Sequence, residues 1–238
     1  MSEARRHTLV VTGATKGLGR ATALAFARAG HRVLGLYAHD EAAAEGLRAE
    51  LASFGDDAFV LRHDVSVEDD VLWSRAEIQR AESLVLVNNA WAPFAIQPLH
   101  LATWDDFARA LDVGLRGSWL CTRALLRPMM RAGRGTIVNV LTSAVHGLPP
   151  KGFAPYATAK HALRGLSLAL AAEYGAKGIR VFSVSPGFMS TALTADWDAR
   201  LVEALLAKGP VTDPDAAARH ILELVDDADV PPGADYAV

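Results

Sequence analysis

Short, nearly continuous apolar runs alternate with amphipathic stretches from one end of this chain to the other, and that alternation restricts its architecture more than any other feature. The apolar runs are Thr8–Gly13, Arg32–Tyr37, Ala58–Asp64, Ser83–Ala90, Gly135–Ser143, Ile179–Gly187 and Ala234–Val238. Between them lie helical patterns over Gly17–Ala29, Glu41–Phe54, Val67–Ala81, Thr103–Ala132, Pro155–Ala176, Trp197–Lys208 and Pro214–Asp226. Strands without polar alternation are buried on both faces, which calls for helices above and below a parallel sheet. Right-handed crossovers then wind the chain into an α/β, doubly wound, seven-stranded sheet. No repeat or long linker divides residues 1–238, so a single domain is expected.

Composition narrows the function classes. The 24 basic and 27 acidic side chains leave a net charge of −3, with no basic run or aromatic–basic alternation, so no nucleic-acid partner is expected. The single cysteine, Cys121, lies in the apolar helical stretch "SWLCTRALL" and is expected to be buried packing. No Cys/His cluster has metal-ligand spacing, so no metal is expected. No secretory leader or membrane-spanning run is visible, and a cytoplasmic setting without membrane association is the expectation.

The segment "VVTGATKGLGRATALAFARAG" ends a strand at Thr12 and sets Gly13, Gly17 and Gly19 in the turn before a helix, with Thr15, Lys16 and Leu18 among them. Positions without side chains let backbone approach a pyrophosphate, which the helix N-terminus favours. The spacing is G-x-x-x-G-x-G, and a ligand-free glycine turn is the plain alternative. Asp64–Val65 and Asn88–Asn89–Ala90 end the strands that should flank the first, where an open α/β sheet binds its ligand. Asp64 is suited to accept from an adenine amino group, with Val65 beside the ring; capping the next helix is its alternative. Asn88 either ties neighbouring strands or helps shape the groove. At the end of the second strand Tyr37, Ala38 and His39 stand where an NAD-selective site usually has a carboxylate. Lys16 is near enough to reach a 2′-phosphate, which favours NADP, with NAD as the alternative.

Taken in order, Thr12-Gly13-x-x-x-Gly17-x-Gly19, Asp64-Val65, Asn88-Asn89-Ala90, Ser143, Tyr156-x-x-x-Lys160 and Pro186-Gly187 with Thr191 resemble the short-chain dehydrogenase/reductase family in its single-domain form. The resemblance covers essentially the whole chain. It implies a Rossmann-like fold and an NADP- or NAD-dependent oxidoreductase that reduces a ketone or oxidises a secondary alcohol. Positions i and i+4 share a helical face, so Lys160 can lie beside the Tyr156 phenol. The ammonium would favour the phenolate, Tyr156 would exchange a proton with the substrate oxygen, and Ser143 would hydrogen-bond that oxygen. By the same resemblance Lys160 and Tyr156 meet the nicotinamide ribose. Pro186, Gly187 and Thr191 border the nicotinamide, with Gly13, Thr15, Lys16, Gly17, Leu18, Gly19, Tyr37, His39, Asp64, Val65, Asn89 and Ala90 along the rest of the dinucleotide.

Three departures individualise the chain. The family's fourth catalytic residue, an asparagine, is Gly114 in "VGLRG", leaving its place to a water molecule. Trp91 follows Asn-Asn-Ala where glycine is usual. The stretch from Thr191 to Pro214 is short, which predicts an open site. Gly114 and Trp91 motivate two alternatives: a partner or binding subunit, or non-redox acid/base chemistry at Tyr156. The substrate expected is a small-molecule or carrier-bound carbonyl, with 3-oxoacyl and polyketide-type ketones as the candidates. The resemblance to reductases of 3-oxoacyl groups on acyl carrier protein implies carrier contacts at Arg127 and Lys177, to which Arg131 would add charge. Trp91, Phe94, His146, Phe153 and Phe188 are candidate pocket residues. Family analogy implies a homodimer or homotetramer through the two long helices, with Trp119, Leu120, Leu168 and Leu170 offered for contact.

Overall fold

A computed structural model describes residues 6–55, 57–68, 72–195, 197–207 and 211–238. Its strands β1 (Thr8–Thr12), β2 (Arg32–Tyr37), β3 (Ala58–Arg62), β4 (Leu84–Asn88), β5 (Gly135–Val140), β6 (Ile179–Ser185) and β7 (Asp235–Ala237) form one sheet. The order is β3-β2-β1-β4-β5-β6-β7 and every pairing is parallel. This is the expected doubly wound α/β fold.

Alternate residues of each strand feed opposite layers, as a pleated strand requires. Leu9 and Val11 of β1 join Phe26 of helix α1 (Gly17–Arg28), Leu47 of α2 (Glu41–Leu51) and Ile221 of the C-terminal helix Pro214–Asp226. Val10 enters the other layer with Ile78 of α3 (Ala76–Gln79) and with Leu125 and Met129 further along the chain. All nine of these core side chains are almost completely enclosed, each contributing roughly 1.5–3 kcal/mol.

Two expected helices differ. The run Val67–Ala81 yields only a 3₁₀ turn, Leu72–Ser74, and the short α3; its residues 69–71 lie outside the described residues. Thr103–Ala132 is interrupted: α4 (Trp104–Leu111) and α5 (Ser118–Ala132) are joined by a π-helical segment, Asp112–Gly117, which widens the turn around two buried glycines, Gly114 and Gly117. The remaining helices are α6 (Ala154–Tyr174), α7 (Ala199–Leu206) and α8 (Pro214–Asp226). Lys208, expected to end α7, is outside the described residues. No helix among the described residues is long and apolar enough to cross a membrane.

Candidate active site

Strand order reverses where β1 and β4 part, and the chain ends of these strands carry the glycine turn and Asn88–Ala90. Thr12 fastens the fork: its hydroxyl oxygen accepts from the Asn89 and Ala90 backbone N–H groups, both at 2.9 Å. The Asn89 side-chain amide donates to the Thr12 carbonyl at 2.9 Å. Gly13 and Gly17 have φ of +64° and +51°, in the left-handed region that suits glycine. At Gly19 a Cβ would stand 2.5 Å from the Asn89 amide nitrogen, and closer still to the Gly13 carbonyl oxygen. The turn therefore tolerates no side chain there, and it borders a 310 Å³ cavity with Thr15, Lys16, Leu18, Asn89, Ala90 and Trp91 in its wall. A backbone cradle at a helix N-terminus fits a dinucleotide pyrophosphate. The Trp91 Nε1 is buried and has no hydrogen-bond partner among the described residues.

Asn88 donates to Asn139 at 2.8 Å and to Thr122 at 3.3 Å, and Asn139 donates to Ser167 at 2.6 Å. Asn88 thus ties β4 to β5 and α5. Asp64 accepts from the backbone and hydroxyl of Ser66 at 2.9 and 2.7 Å. Burial raises its carboxyl pKa, but those hydrogen bonds prevail and hold it below the usual value. Val65 lines neither the glycine-turn cavity nor the adjoining aromatic one. It is buried against Gly117, where a Cβ would stand 2.7 Å from its Cγ2. Tyr37 donates to Glu41 at 2.5 Å with Arg48 over its ring, and His39 is exposed. Lys16 is ion-paired with Asp40, which also caps α2 through the Ala43 N–H.

A second cavity of 440 Å³ is lined by Thr142, Ser143, Phe153, Tyr156, Gly187, Phe188 and Trp197, among others. It meets the glycine-turn cavity at Met189, Thr191 and Leu193, which line both. Pro186 supports this junction through its carbonyl, which accepts from Ser143 N–H at 2.9 Å. Aromatic rings surround the phenol: Phe94 stacks on Tyr156 at 4.7 Å, Trp91 meets it edge-on at 5.0 Å, and Phe153 at 5.8 Å.

The electrostatics reverse an expectation. Burial pushes the Tyr156 phenol up to about 12, opposed by a hydrogen bond with the Thr142 hydroxyl, and it pushes Lys160 down to about 7. The ammonium lies 5.8 Å from the phenol ring centroid, and the enclosure by aromatic side chains penalises both charged forms more than the pair gains. Lys160 lines neither cavity. Its Nζ donates to the Val140 carbonyl at 2.7 Å and lies 4.0 Å from the Trp91 ring centroid. The expected ribose contact of Lys160 is therefore not formed by the groove wall as it stands, because Trp91 lies over the amine.

Other assignments change with tertiary context. No water-sized gap stands at Gly114: a Cβ there would lie 2.6 Å from Trp91 Cη2, so the indole fills that space. His146 leaves the pocket to pair with Asp235 at 3.1 Å. The short Thr191–Pro214 stretch does not leave the pocket unwalled, since Trp197 packs at 5.4–6.2 Å from Phe153, Phe94 and Phe188. Thr142, Met189, Leu193 and Trp197 escaped sequence reasoning; for Thr142 the signal was its place next to Ser143. Leu120 and Leu170 are buried within the chain, whereas Trp119 and Leu168 are exposed. Cys121 is buried, as expected, and burial raises its thiol to about 12. At the opposite end of the sheet, folding gathers His7, His31 and Asp226 within 4.8 Å, a cluster the dispersed sequence positions did not reveal. The His7 ring is already engaged there by Ser83 at 2.8 Å and Asp226 at 3.1 Å.

Comparison with known proteins follows this geometry. A family model described as short chain dehydrogenase matches residues 7–201. A 3-oxoacyl-[acyl-carrier-protein] reductase of Synechocystis sp. is 30% identical over 95% of this chain and 92% of its own. A cis-4-hydroxycyclohexanecarboxylate dehydrogenase of Sinomonas cyclohexanicum is 36% identical over 92% of this chain and 89% of its own. A solved structure from Beutenbergia cavernae, provisionally assigned as an NAD(P) dependent gluconate 5-dehydrogenase and holding NADP at low occupancy, superposes with a TM-score of 0.88. It is 30% identical, with 99% of this chain and 96% of that one covered.

Proposed function

This chain belongs to the short chain dehydrogenase family, NAD(P)-dependent oxidoreductases of secondary alcohols and ketones, and we propose that it reduces an apolar, ring-bearing ketone with NADPH. The observation that carries this reading is the adjacency of the two cavities: a glycine-walled groove shares Met189, Thr191 and Leu193 with an aromatic pocket lined by Tyr156 and Ser143.

When bound, a nicotinamide supplies or takes up the hydride. The chain's own groups manage the oxygen. A phenol held protonated by burial is suited to give its proton to a carbonyl oxygen as negative charge develops there. Ser143, exposed at the same pocket wall, orients that oxygen by hydrogen bonding. Lys160 acts from beneath as a nearby positive charge. Gly13, Thr15, Gly17, Leu18 and Gly19 cradle the pyrophosphate, Asp64 serves the adenine, and Thr191 borders the nicotinamide.

The preference for NADPH rests on Tyr37 standing in place of a carboxylate at the end of β2 and on the Lys16 cation at the groove mouth. A 2′-phosphate would take Lys16 over from Asp40. Phe94, Phe153, Phe188 and Trp197 favour an apolar ring, and the relative acting on a hydroxycyclohexane carboxylate supports that class. Carrier-bound 3-oxoacyl groups are the second reading, favoured by the Synechocystis relative. Arg127 and Lys177 are exposed, as carrier contacts must be. They lie, however, in segments that lead into the N-terminal ends of β5 and β6, away from the pocket. Exposed Trp119 on α5 and Leu168 on α6 support association of copies through these helices.

The test is a panel of cyclic and acyclic ketones followed by NADPH consumption. Tyr156→Phe should abolish turnover with NADPH affinity retained. Cofactor binding without turnover of any ketone would instead support a binding subunit.

A further inference from the structure

Trp91 and Gly114 depart from the family pattern together because each fits only with the other. Gly114 lies on the π-helical turn, pinned by the Ser118 hydroxyl, which donates to its carbonyl at 2.7 Å. A Cβ at 114 would stand 2.6 Å from Cη2 and 3.0 Å from Cε3 of Trp91, and closer still to Cζ3. The indole is rooted as firmly, since the preceding Ala90 N–H is held by Thr12. The indole therefore occupies the volume that an asparagine side chain at 114 would need.

What the indole does there is visible on its face. Lys160 Nζ lies 4.0 Å from its ring centroid, close enough for a cation–π interaction. Among the described residues no carboxylate pairs with Lys160, whose hydrogen bond goes to the Val140 carbonyl. The same indole meets Tyr156 edge-on at 5.0 Å and an interplanar angle of 76°. One ring thus touches both members of the proton-donating pair.

We propose that Trp91 is a positioning residue that replaces the missing asparagine: its face holds the Lys160 ammonium, and its ring, packed steeply against Tyr156, sets the phenol. This rests on the reading of Tyr156 and Lys160 given above. The proposal makes the two positions exchangeable only as a pair.

The experiment compares Trp91→Phe, Trp91→Leu, Trp91→Gly, Gly114→Asn and the double Trp91→Gly/Gly114→Asn, each checked for folding by its urea midpoint. Trp91→Leu should lose about 10- to 30-fold in kcat, the scale of a desolvated cation–π contact, with KM and NADPH affinity within about threefold. Trp91→Phe, which keeps an aromatic face, should recover most of that loss. Gly114→Asn alone should be destabilised by overlap with the indole, and the double variant should exceed both Trp91→Gly and Gly114→Asn in stability and turnover. Without cofactor, Trp91→Leu should lower the urea midpoint at pH 6.5 less in a Lys160→Met background than in the parent chain. A folded Trp91→Leu with unchanged kcat, a Trp91→Gly that gains turnover, or a double variant no better than its poorer parent would overturn the proposal. Full turnover by Tyr156→Phe would instead overturn the proton-donor reading itself, so the two failures are distinct.

Discussion

Lys160 is a charge placed where the fold disfavours charge, and removing it should stabilise the protein while ending its activity. The side chain is 3% exposed, and burial brings its pKa from 10.5 to about 7. At 1.36 kcal/mol per pH unit that difference corresponds to about 5 kcal/mol between charged and neutral forms. The Trp91 face offsets about 2 kcal/mol of this, and loss of the Val140 hydrogen bond in a variant removes about 1 kcal/mol more. Lys160→Met, nearly matched in length, should therefore gain about 2 kcal/mol at pH 6.5. The sign with pH follows from linkage. Between the folded and unfolded pKa values the unfolded chain binds more protons, so the parent protein gains stability as pH rises from about 7 toward 10.5. The advantage of Lys160→Met should shrink over that interval. Tyr156, raised to about 12, keeps its proton throughout it, and other titrating groups are common to both chains. Urea unfolding of both proteins at pH 6.5, 8 and 9.5 measures the difference directly. A Lys160→Met that is less stable at pH 6.5, or whose difference does not vary with pH, would refute the claim that the ammonium is costly here.

Three other outcomes are expected. Gly19→Ala should weaken NADPH binding at least about tenfold and cost about 1–3 kcal/mol, because its Cβ would collide with the Asn89 amide and the Gly13 carbonyl; calorimetric titration and melting report both. Lys16→Ala should raise the KM for NADPH about tenfold while leaving that for NADH within about twofold, since the cation serves only a 2′-phosphate. Phe94→Ala removes the ring stacked on Tyr156; KM for a cyclic ketone should rise about 5- to 50-fold, with less effect on a short acyclic ketone, in steady-state assays.

Much of the fold was legible because its signals are local. Unalternated apolar runs require burial on both faces, and that requirement leads to a parallel sheet with helices on each side. Tyr156 and Lys160 were likewise placed on one helical face by their spacing. Val67–Ala81 misled because a few apolar residues at helical spacing do not ensure packing along a helix; only Ile78 of α3 joins the core. Thr103–Ala132 misled in another way, as helical periodicity does not reveal a π-helical insertion.

By itself the sequence determined the strand order's raw material, the side-chain-free turn after β1 and the identity of the groups at the site. Each of these is a property of neighbours along the chain. Only the tertiary structure decided how those groups behave. It drove the Trp91 indole into the gap left by Gly114, turned His146 toward Asp235, and brought Trp197 over the pocket. It also set the phenol and the amine to about 12 and about 7, because their protonation answers to enclosure by residues distant in sequence.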